Sequence, residues 1–223
     1  MGRIAKGAPD GYLLGIGHIG THVINGAIYP LTYDLQTDLE PVAMIATNPQ
    51  ILVSRPSIPA KDLKEFLAWV KANQDKASIG TGGAAPATQD LLAGQIDMMF
   101  DQAANSLPQI RGGKFRPYAV TSKTRLAAAP EIPTVDEAGL PGFYMAVWHG
   151  IWAPKATPQP IIAKLNAAIV EALADPGVRA KLADLGQEIP PREQQTPEAL
   201  RAHHKAEIEK WWPIVKQAGI KVE

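Results

Sequence analysis

Short apolar runs alternate with turn residues along the whole chain. The sequence contains 20 prolines and 19 glycines, and these residues divide the apolar positions into short segments. A short apolar run bounded by turn residues is typical of a buried strand. The pattern predicts strands at 12–16, 42–46, 51–54, 96–100, 117–121 and 146–153, with a turn at 47–50 between the second and the third.

Apolar positions at helical spacing lie between several of these strands. One such stripe predicts a helix that is opened by residues 57–62 and continues through about Asn73. A second helix is predicted to end at Gly94, because glycine favours helix C-termini. Thr157 and Thr196 each precede a proline, which predicts a capping hydroxyl and a helix start at both places. The last helix is predicted to reach about Gln217. Strands alternating with helices predict an α/β protein.

The charge balance excludes two classes of partner. Lysine and arginine together number 22, and so do aspartate and glutamate. A chain without net charge has no overall field to hold a polyanion, so we expect no nucleic-acid partner. No apolar run approaches the roughly 20 residues that a membrane span requires, so we expect no direct membrane insertion. Residues 1–11 lack an apolar stretch, which predicts no signal peptide in this chain.

A glycine pattern follows the first predicted strand. Residues Gly15 to Gly20 match G-x-G-x-x-G, which is found in dinucleotide-binding turns. That turn needs a long helix and then a strand ending in an acidic residue. Here Pro30 limits the helix to about 21–29, and Asp34 lies in a polar loop. We therefore expect close approach of the loop backbone to an anion such as a carboxylate, without a nucleotide cofactor.

Other polar residues were considered for metal binding and catalysis. His18 and His22 are four residues apart, but no third ligand accompanies them, so no metal site is predicted. His203 and His204 are expected on the solvated surface of the last helix. Asp101, at the end of a predicted strand, is expected to hold backbone N–H groups or to cap a helix.

The sequence shows no catalytic constellation. A G-x-S-x-G nucleophile motif does not occur, and no two carboxylates lie in contexts that would separate their acidities. We therefore expect a binding protein that is not an enzyme and uses no cofactor.

Short landmarks follow one another in a fixed order along nearly the whole chain. These landmarks are Ala8 to Leu14, Gly20-Thr21-His22, Asp38 to Ala43, Gly83 to Ala87, Asp90 to Asp101, Leu107 to Ile110, Ala119 to Ser122, Pro130 to Val135, Gly139 to Phe143, Trp148-His149-Gly150 and Ala153-Pro154. Their order resembles that of the Bug family of tripartite tricarboxylate transporter receptors.

This resemblance implies a shortened, two-lobed fold like that of type II periplasmic binding proteins. The lobes would be 1–52 with 153–223, and 53–152. The implied function is capture of a small carboxylate in the periplasm for the membrane components of a tripartite tricarboxylate transporter. By motif position, the ligand-binding residues would be Gly17, His18, Ile19, Gly20, Thr21 and His22 in the first lobe, Gly80, Thr81 and Gly82 in the second, and Asp101 where the lobes meet.

Two departures from the family pattern leave other hypotheses open. The chain is expected to lack the family's first strand and helix, and also a loop, helix and strand after Gly80-Thr81. A truncated remnant of the family that binds no ligand is therefore one alternative. A more remote alternative is an NAD-dependent enzyme that uses Gly15 to Gly20.

Overall fold

The protein forms two compact units. Its structure, a computed structural model, describes residues 1–80 and 84–219. Unit 1 contains Met1–Thr47, Val147–Ala180 and Glu188–Glu223, and unit 2 contains Asn48–Ala146 and Lys181–Gln187. The lobe limits expected from the sequence, at 52/53 and 152/153, stay a prediction.

Strands and helices alternate along the chain, which confirms the predicted α/β class. The strands are β1 (Gly15–His18), β2 (Leu39–Ser54), β3 (Ile79–Gly80), β4 (Met98–Gln102), β5 (Arg116–Val120) and β6 (Ala146–Pro154). The α-helices are α1 (Gly2–Ala5), α2 (Asn25–Ile28), α3 (Leu63–Ala72), α4 (Ala84–Ala93), α5 (Ala103–Arg111), α6 (Gln159–Ala174), α7 (Pro176–Asp184) and α8 (Pro197–Gln217). A π-helical turn, Gly20–Ile24, precedes α2, and a 3₁₀ turn, Arg192–Gln194, precedes α8.

Two tryptophans of β6 form the centre of unit 1. This strand lies between β1 and β2, and it pairs with β1 in antiparallel register from Gly15↔Trp152 to His18↔His149. Trp148 and Trp152 are both 1% exposed and share a core cluster with Leu200 of α8. The C-terminal helix thus packs on the same strand that supports β1.

The second half of β2 forms the centre of unit 2. It pairs antiparallel with β4 and with β5, while β3 pairs parallel with β4. Ile51 and Val53 pack into one apolar cluster and Leu52 packs into another. Because successive strand residues point to opposite faces, both faces of β2 are covered here. This explains why the segment is continuously apolar.

The predicted helix limits are mostly confirmed. Asp62 caps α3 by accepting a hydrogen bond from the N–H of Glu65 at 2.8 Å. α4 ends at Ala93, and Gly94 follows with a φ of 74°. Thr196 caps α8 by accepting from the N–H of Ala199 at 3.1 Å.

Three local predictions are wrong. No turn interrupts β2 at 47–50, because the ladder with β4 begins at Gln50, so that Pro49, which has no N–H, need not donate to it. The hydroxyl of Thr157 caps no helix and instead donates to the carbonyl of Pro154 at 2.8 Å. β1 begins at Gly15 rather than at Tyr12, which is 94% exposed.

Removing the aromatic ring of Phe66 should strongly destabilise unit 2. Phe66 is 1% exposed, and its ring stacks on Tyr118 with centroids 4.3 Å apart. We expect Phe66→Ala to lower the free energy of unfolding by about 3–5 kcal/mol in urea denaturation. Leu67→Ala, at the neighbouring 40%-exposed position of the same helix, is the control and should cost clearly less. Equal losses in the two variants would contradict this assignment of the core.

Candidate ligand-binding site

Gly17–His22, hereafter the β1 loop, folds into a tight turn held by its own polar groups. The N–H of Gly20 donates to Nδ1 of His18 at 3.0 Å. The N–H of His18 donates to the hydroxyl of Thr21 at 3.1 Å, and this hydroxyl lies 3.2 Å from the carbonyl of His18. These contacts fix the backbone between β1 and the π-helical turn.

The turn fixes the proton on His18. Because Nδ1 accepts from the N–H of Gly20, the proton of the neutral ring is on Nε2, which is thus a donor. His18 is partly exposed, as are Ile19, Gly20 and Thr21. These four residues form the accessible part of the β1 loop, in which Nε2 of His18 is the available donor.

His22, the last residue of the β1 loop, is buried, and its position explains why residue 17 is a glycine. The ring of His22 is 0% exposed and stacks on Trp152 with centroids 4.5 Å apart. A Cβ added at Gly17 would lie 1.9 Å from Cε1 of His22. Close approach of the ring therefore requires glycine at this position. Gly17 and His22 together form the buried side of the loop.

One nitrogen of His22 is bonded and the other is not. Nδ1 lies 3.1 Å from the hydroxyl of Thr21. If Nδ1 donates, the hydroxyl accepts from two N–H groups and donates to the carbonyl of His18, which satisfies every contact. Nε2 is buried without a hydrogen-bond partner among the residues that the structure describes. Burial lowers the pKa of His22 to about 3, and His204, His18 and the N-terminal amine act in the same direction.

The prediction that His203 and His204 lie on a solvated surface is wrong. His204 is 2% exposed, and its Nε2 lies 2.7 Å from the carbonyl of His22. The ring of His203 packs edge-on against Trp148 at 5.1 Å. His204 is four residues from both Leu200 and Ile208, which are buried on the same face of α8. That spacing could have predicted that His204 is buried.

The pKa values of all five histidines are lowered by burial, and all five lie in unit 1. Two carboxylates oppose these shifts in part. Asp34 raises the pKa of His204, and Glu207 raises that of His203. The core around the β1 loop therefore favours neutral rings near neutral pH.

The expected residues of unit 2 are only partly described. Gly80 ends β3, where an added Cβ would lie 2.4 Å from Cδ1 of Ile96. Thr81 and Gly82 lie outside the described residues. Asp101 lies within β4 and is 3% exposed. Its carboxylate accepts from Nδ2 of Asn105 at 3.2 Å and from the hydroxyl of Ser106 at 2.7 Å. These partners are side chains of α5, rather than the backbone N–H groups or the helix cap expected.

A buried polar cluster near Asp101 was not predicted. Asn48 donates from Nδ2 to Oε1 of Gln102 at 3.0 Å, and Gln50 donates from Nε2 to the carbonyl of Asn48 at 3.0 Å. The hydroxyl of Thr121 accepts from the N–H of Gln50 at 2.9 Å. Reading 47–50 as strand would have placed Asn48 and Gln50 on one face of β2.

The strand geometry at Gly15 to Gly20 differs from that of a nucleotide-binding turn. β1 pairs antiparallel with β6, whereas a dinucleotide-binding unit needs a strand in a parallel sheet followed by a long helix. Among the described residues, no group of three or more His, Cys, Asp or Glu side chains could hold a metal ion. In the same residues, no helix is long and apolar enough to cross a bilayer.

A methyl group at residue 17 should disturb the loop. In Gly17→Ala the new Cβ would overlap the buried ring of His22. We expect the free energy of unfolding to fall by about 1–3 kcal/mol, as for other overpacked sites, measured by urea denaturation. Gly2→Ala is the control, because its Cβ would make ordinary contact with Tyr33 at 3.5 Å. No difference between the two variants would contradict the close packing of His22.

Acid should destabilise the protein above the pH range in which most carboxylates titrate. Each histidine has a folded-state pKa below its unfolded value, so the unfolded chain binds more protons and stability falls as pH falls below about 6.5. For His22, this loss reaches about 2 kcal/mol by pH 5. The pKa of Glu188 is raised by burial and acts in the opposite direction.

The contribution of His22 can be isolated by comparing slopes. Chemical denaturation between pH 7.5 and pH 5 should show a shallower loss of stability for His22→Gln than for the wild-type chain. Parallel curves would mean that His22 is not held neutral in the folded protein.

Comparisons with known proteins identify the family. The sequence profile of the tripartite tricarboxylate transporter family receptor matches residues 1–87 and 79–220. The structure of MatC from Rhodopseudomonas palustris with bound malate is similar at 37% identity and a TM-score of 0.84, with 96% of this chain and 82% of that chain covered.

Two further solved structures are similar. The periplasmic binding protein BugD is 34% identical, with 99% of this chain and 83% of that chain covered and a TM-score of 0.85. A second R. palustris protein, with adipate, is 28% identical, with 98% and 82% covered and a TM-score of 0.83. The resemblance seen in the sequence landmarks and the predicted fold class are thereby confirmed. The chain belongs to the Bug family of tripartite tricarboxylate transporter receptors, which are periplasmic solute-binding proteins.

Proposed function

We propose that this protein captures a small carboxylate in the periplasm and delivers it to the membrane components of a tripartite tricarboxylate transporter. The observation that carries the proposal is the β1 loop, in which Nε2 of His18 is left as a donor beside Gly20 and Thr21. A family member with such a loop has the groups needed to hold a carboxylate without catalysing a reaction.

The chemistry of the loop suits an anion held by neutral donors. The chain has no net charge, so selectivity for an acid must come from local hydrogen bonds. A hydrogen bond from a neutral donor to a charged acceptor is stronger than one between neutral groups. His18 supplies a ring N–H, and Gly20, which has no side chain, allows a ligand to approach the backbone closely.

The relatives support a dicarboxylate. MatC is described with malate and the second R. palustris protein with adipate. Both ligands are small organic acids with two carboxylates. We therefore propose the same class of ligand for this chain and use malate as the first probe.

The proposal also assigns a part to the remaining predicted residues. The first proposed lobe, 1–52 with 153–223, supplies the β1 loop. The second, 53–152, supplies Gly80, Thr81 and Gly82. Asp101 is itself an anion, so we assign it a structural part, in which it holds Asn105 and Ser106 at the start of α5.

A second candidate is a family member that binds no acid. The family profile matches in two segments that overlap at 79–87, where β3 contains only two residues. Loss of a segment next to Gly80 would remove backbone from the second ligand loop. The protein would then fold but leave acids unbound.

Binding of malate tests the proposal, with His18 as the probed residue. We expect wild-type protein to bind malate in isothermal titration calorimetry at pH 7.5. His18→Ala should weaken binding roughly 10- to 100-fold, because it removes a hydrogen bond to a charged ligand. Lys164→Ala, on an exposed face of α6, is the control and should bind as wild type does. Equal binding by His18→Ala would refute the site.

Thermal unfolding with a panel of dicarboxylates separates the two candidates. Ligand at about 100 times its dissociation constant adds roughly 2.7 kcal/mol to the stability of the folded form. A selective rise in the unfolding midpoint would support a working receptor. A cooperative transition that malate, adipate and the other acids leave unmoved would support the non-binding candidate.

A further inference from the structure

Three buried rings from distant parts of the chain meet behind the β1 loop. His22 stacks on Trp152 of β6, with centroids 4.5 Å apart and planes 19° apart. His204 of α8 meets His22 edge-on at 5.7 Å and Trp152 edge-on at 5.0 Å. We call these three residues the ring cluster. It is a direct packing contact between the loop and the C-terminal helix.

The direction of the hydrogen bond in this cluster is fixed by its acceptor. Nε2 of His204 lies 2.7 Å from the carbonyl oxygen of His22. A carbonyl can only accept, so Nε2 of His204 carries a proton and donates. This bond joins residues 182 positions apart. It therefore ties the loop backbone to α8.

His204 acts from behind the accessible surface. It is 2% exposed, while His18 to Thr21 are partly exposed. His204 is therefore placed to act on a ligand only through the loop that it holds. This distinguishes it from the residues proposed to touch the acid.

The charged neighbours of the cluster oppose an extra proton on His22. Facing His22 are His18 from β1, His204 from α8 and the N-terminal amine, and all three lower its pKa. Burial lowers the pKa of His204 most, while its hydrogen bond to the carbonyl of His22 raises it. Asp34 also favours the charged ring, whereas His203 and Arg201 of the same helix disfavour it. Neither ring gains a buried carboxylate as a hydrogen-bonded partner in the described part of the chain.

We propose that His204 is a positioning residue for the ligand-binding loop: it holds the carbonyl of His22 and, with Trp152, packs against the ring of His22, so that the buried, neutral histidines keep the loop in this shape. The ligand-binding part of this inference rests on the proposed function. The hold on the loop does not.

Opening of the loop should then take up protons. When His22 and His204 leave the cluster, both regain the ordinary acidity of histidine in water. Below about pH 6.5, each freed ring binds a proton and favours the open state. The equilibrium constant for loop opening should rise by up to about tenfold for each histidine released when the pH falls by one unit.

Hydrogen exchange of residues 18–24 tests this without any ligand. After correction for the intrinsic rate, the opening constant of wild-type protein should rise steeply between pH 6.5 and pH 5. His204→Gln keeps an N–H donor but does not titrate, so its slope should be lower by up to about tenfold per pH unit. His203→Gln, the neighbouring position on α8, is the control and should keep the wild-type slope. Equal slopes in all three proteins would overturn the proposal.

Malate affinity at pH 7.5 provides the functional arm. His204→Leu lacks the donor and should weaken binding roughly three- to tenfold, the effect of one hydrogen bond. His204→Gln should restore most of this loss. If His204→Leu fails to fold by circular dichroism, the exchange experiment with His204→Gln still decides. If wild-type protein binds no malate, the proposed function fails while the exchange result stands. Normal affinity in a folded His204→Leu would refute the positioning role.

Discussion

The packing of His22 against Gly17 and Trp152 is the contact on which the β1 loop depends. A Cβ at residue 17 would lie 1.9 Å from the ring of His22, so only glycine permits the ring to enter the core. Once buried, the ring sets the position of its own carbonyl and of Thr21. Thr21 in turn bonds to the N–H of His18. The accessible side of the loop is thus shaped by the buried residues Gly17, His22 and Trp152.

Burying these polar rings carries a cost that apolar residues would avoid. Nε2 of His22, Nε2 of His203 and the indole N–H of Trp152 have no hydrogen-bond partner among the described residues. Each such group costs about 1–3 kcal/mol. The cluster also makes stability depend on pH, because burial lowers the pKa of both its histidines. A core of polar rings next to the Nε2 donor of His18 is consistent with a loop kept in one shape to receive an anion.

Local features were predicted well where one short segment determines them. The cap at Thr196 was predicted because its hydroxyl accepts from an N–H only three residues further along the chain. The family landmarks also led to the correct fold class. The turn at 47–50 was wrong because Asn48 and Pro49 favour turns locally, whereas the strand is set by pairing with β4 and β5 far along the chain. His204 was misplaced for the same reason: its partner, His22, is 182 residues away. Its spacing from Leu200 and Ile208 was the available signal.

A crystal structure of the protein grown with malate would test the account most directly. The account predicts a carboxylate of malate within hydrogen-bond distance of Nε2 of His18, beside Gly20 and Thr21. It also predicts that the rings of His22, Trp152 and His204 stay stacked behind the loop. Malate bound elsewhere in the protein, or a loop in which His22 has left the core while the acid is bound, would contradict it.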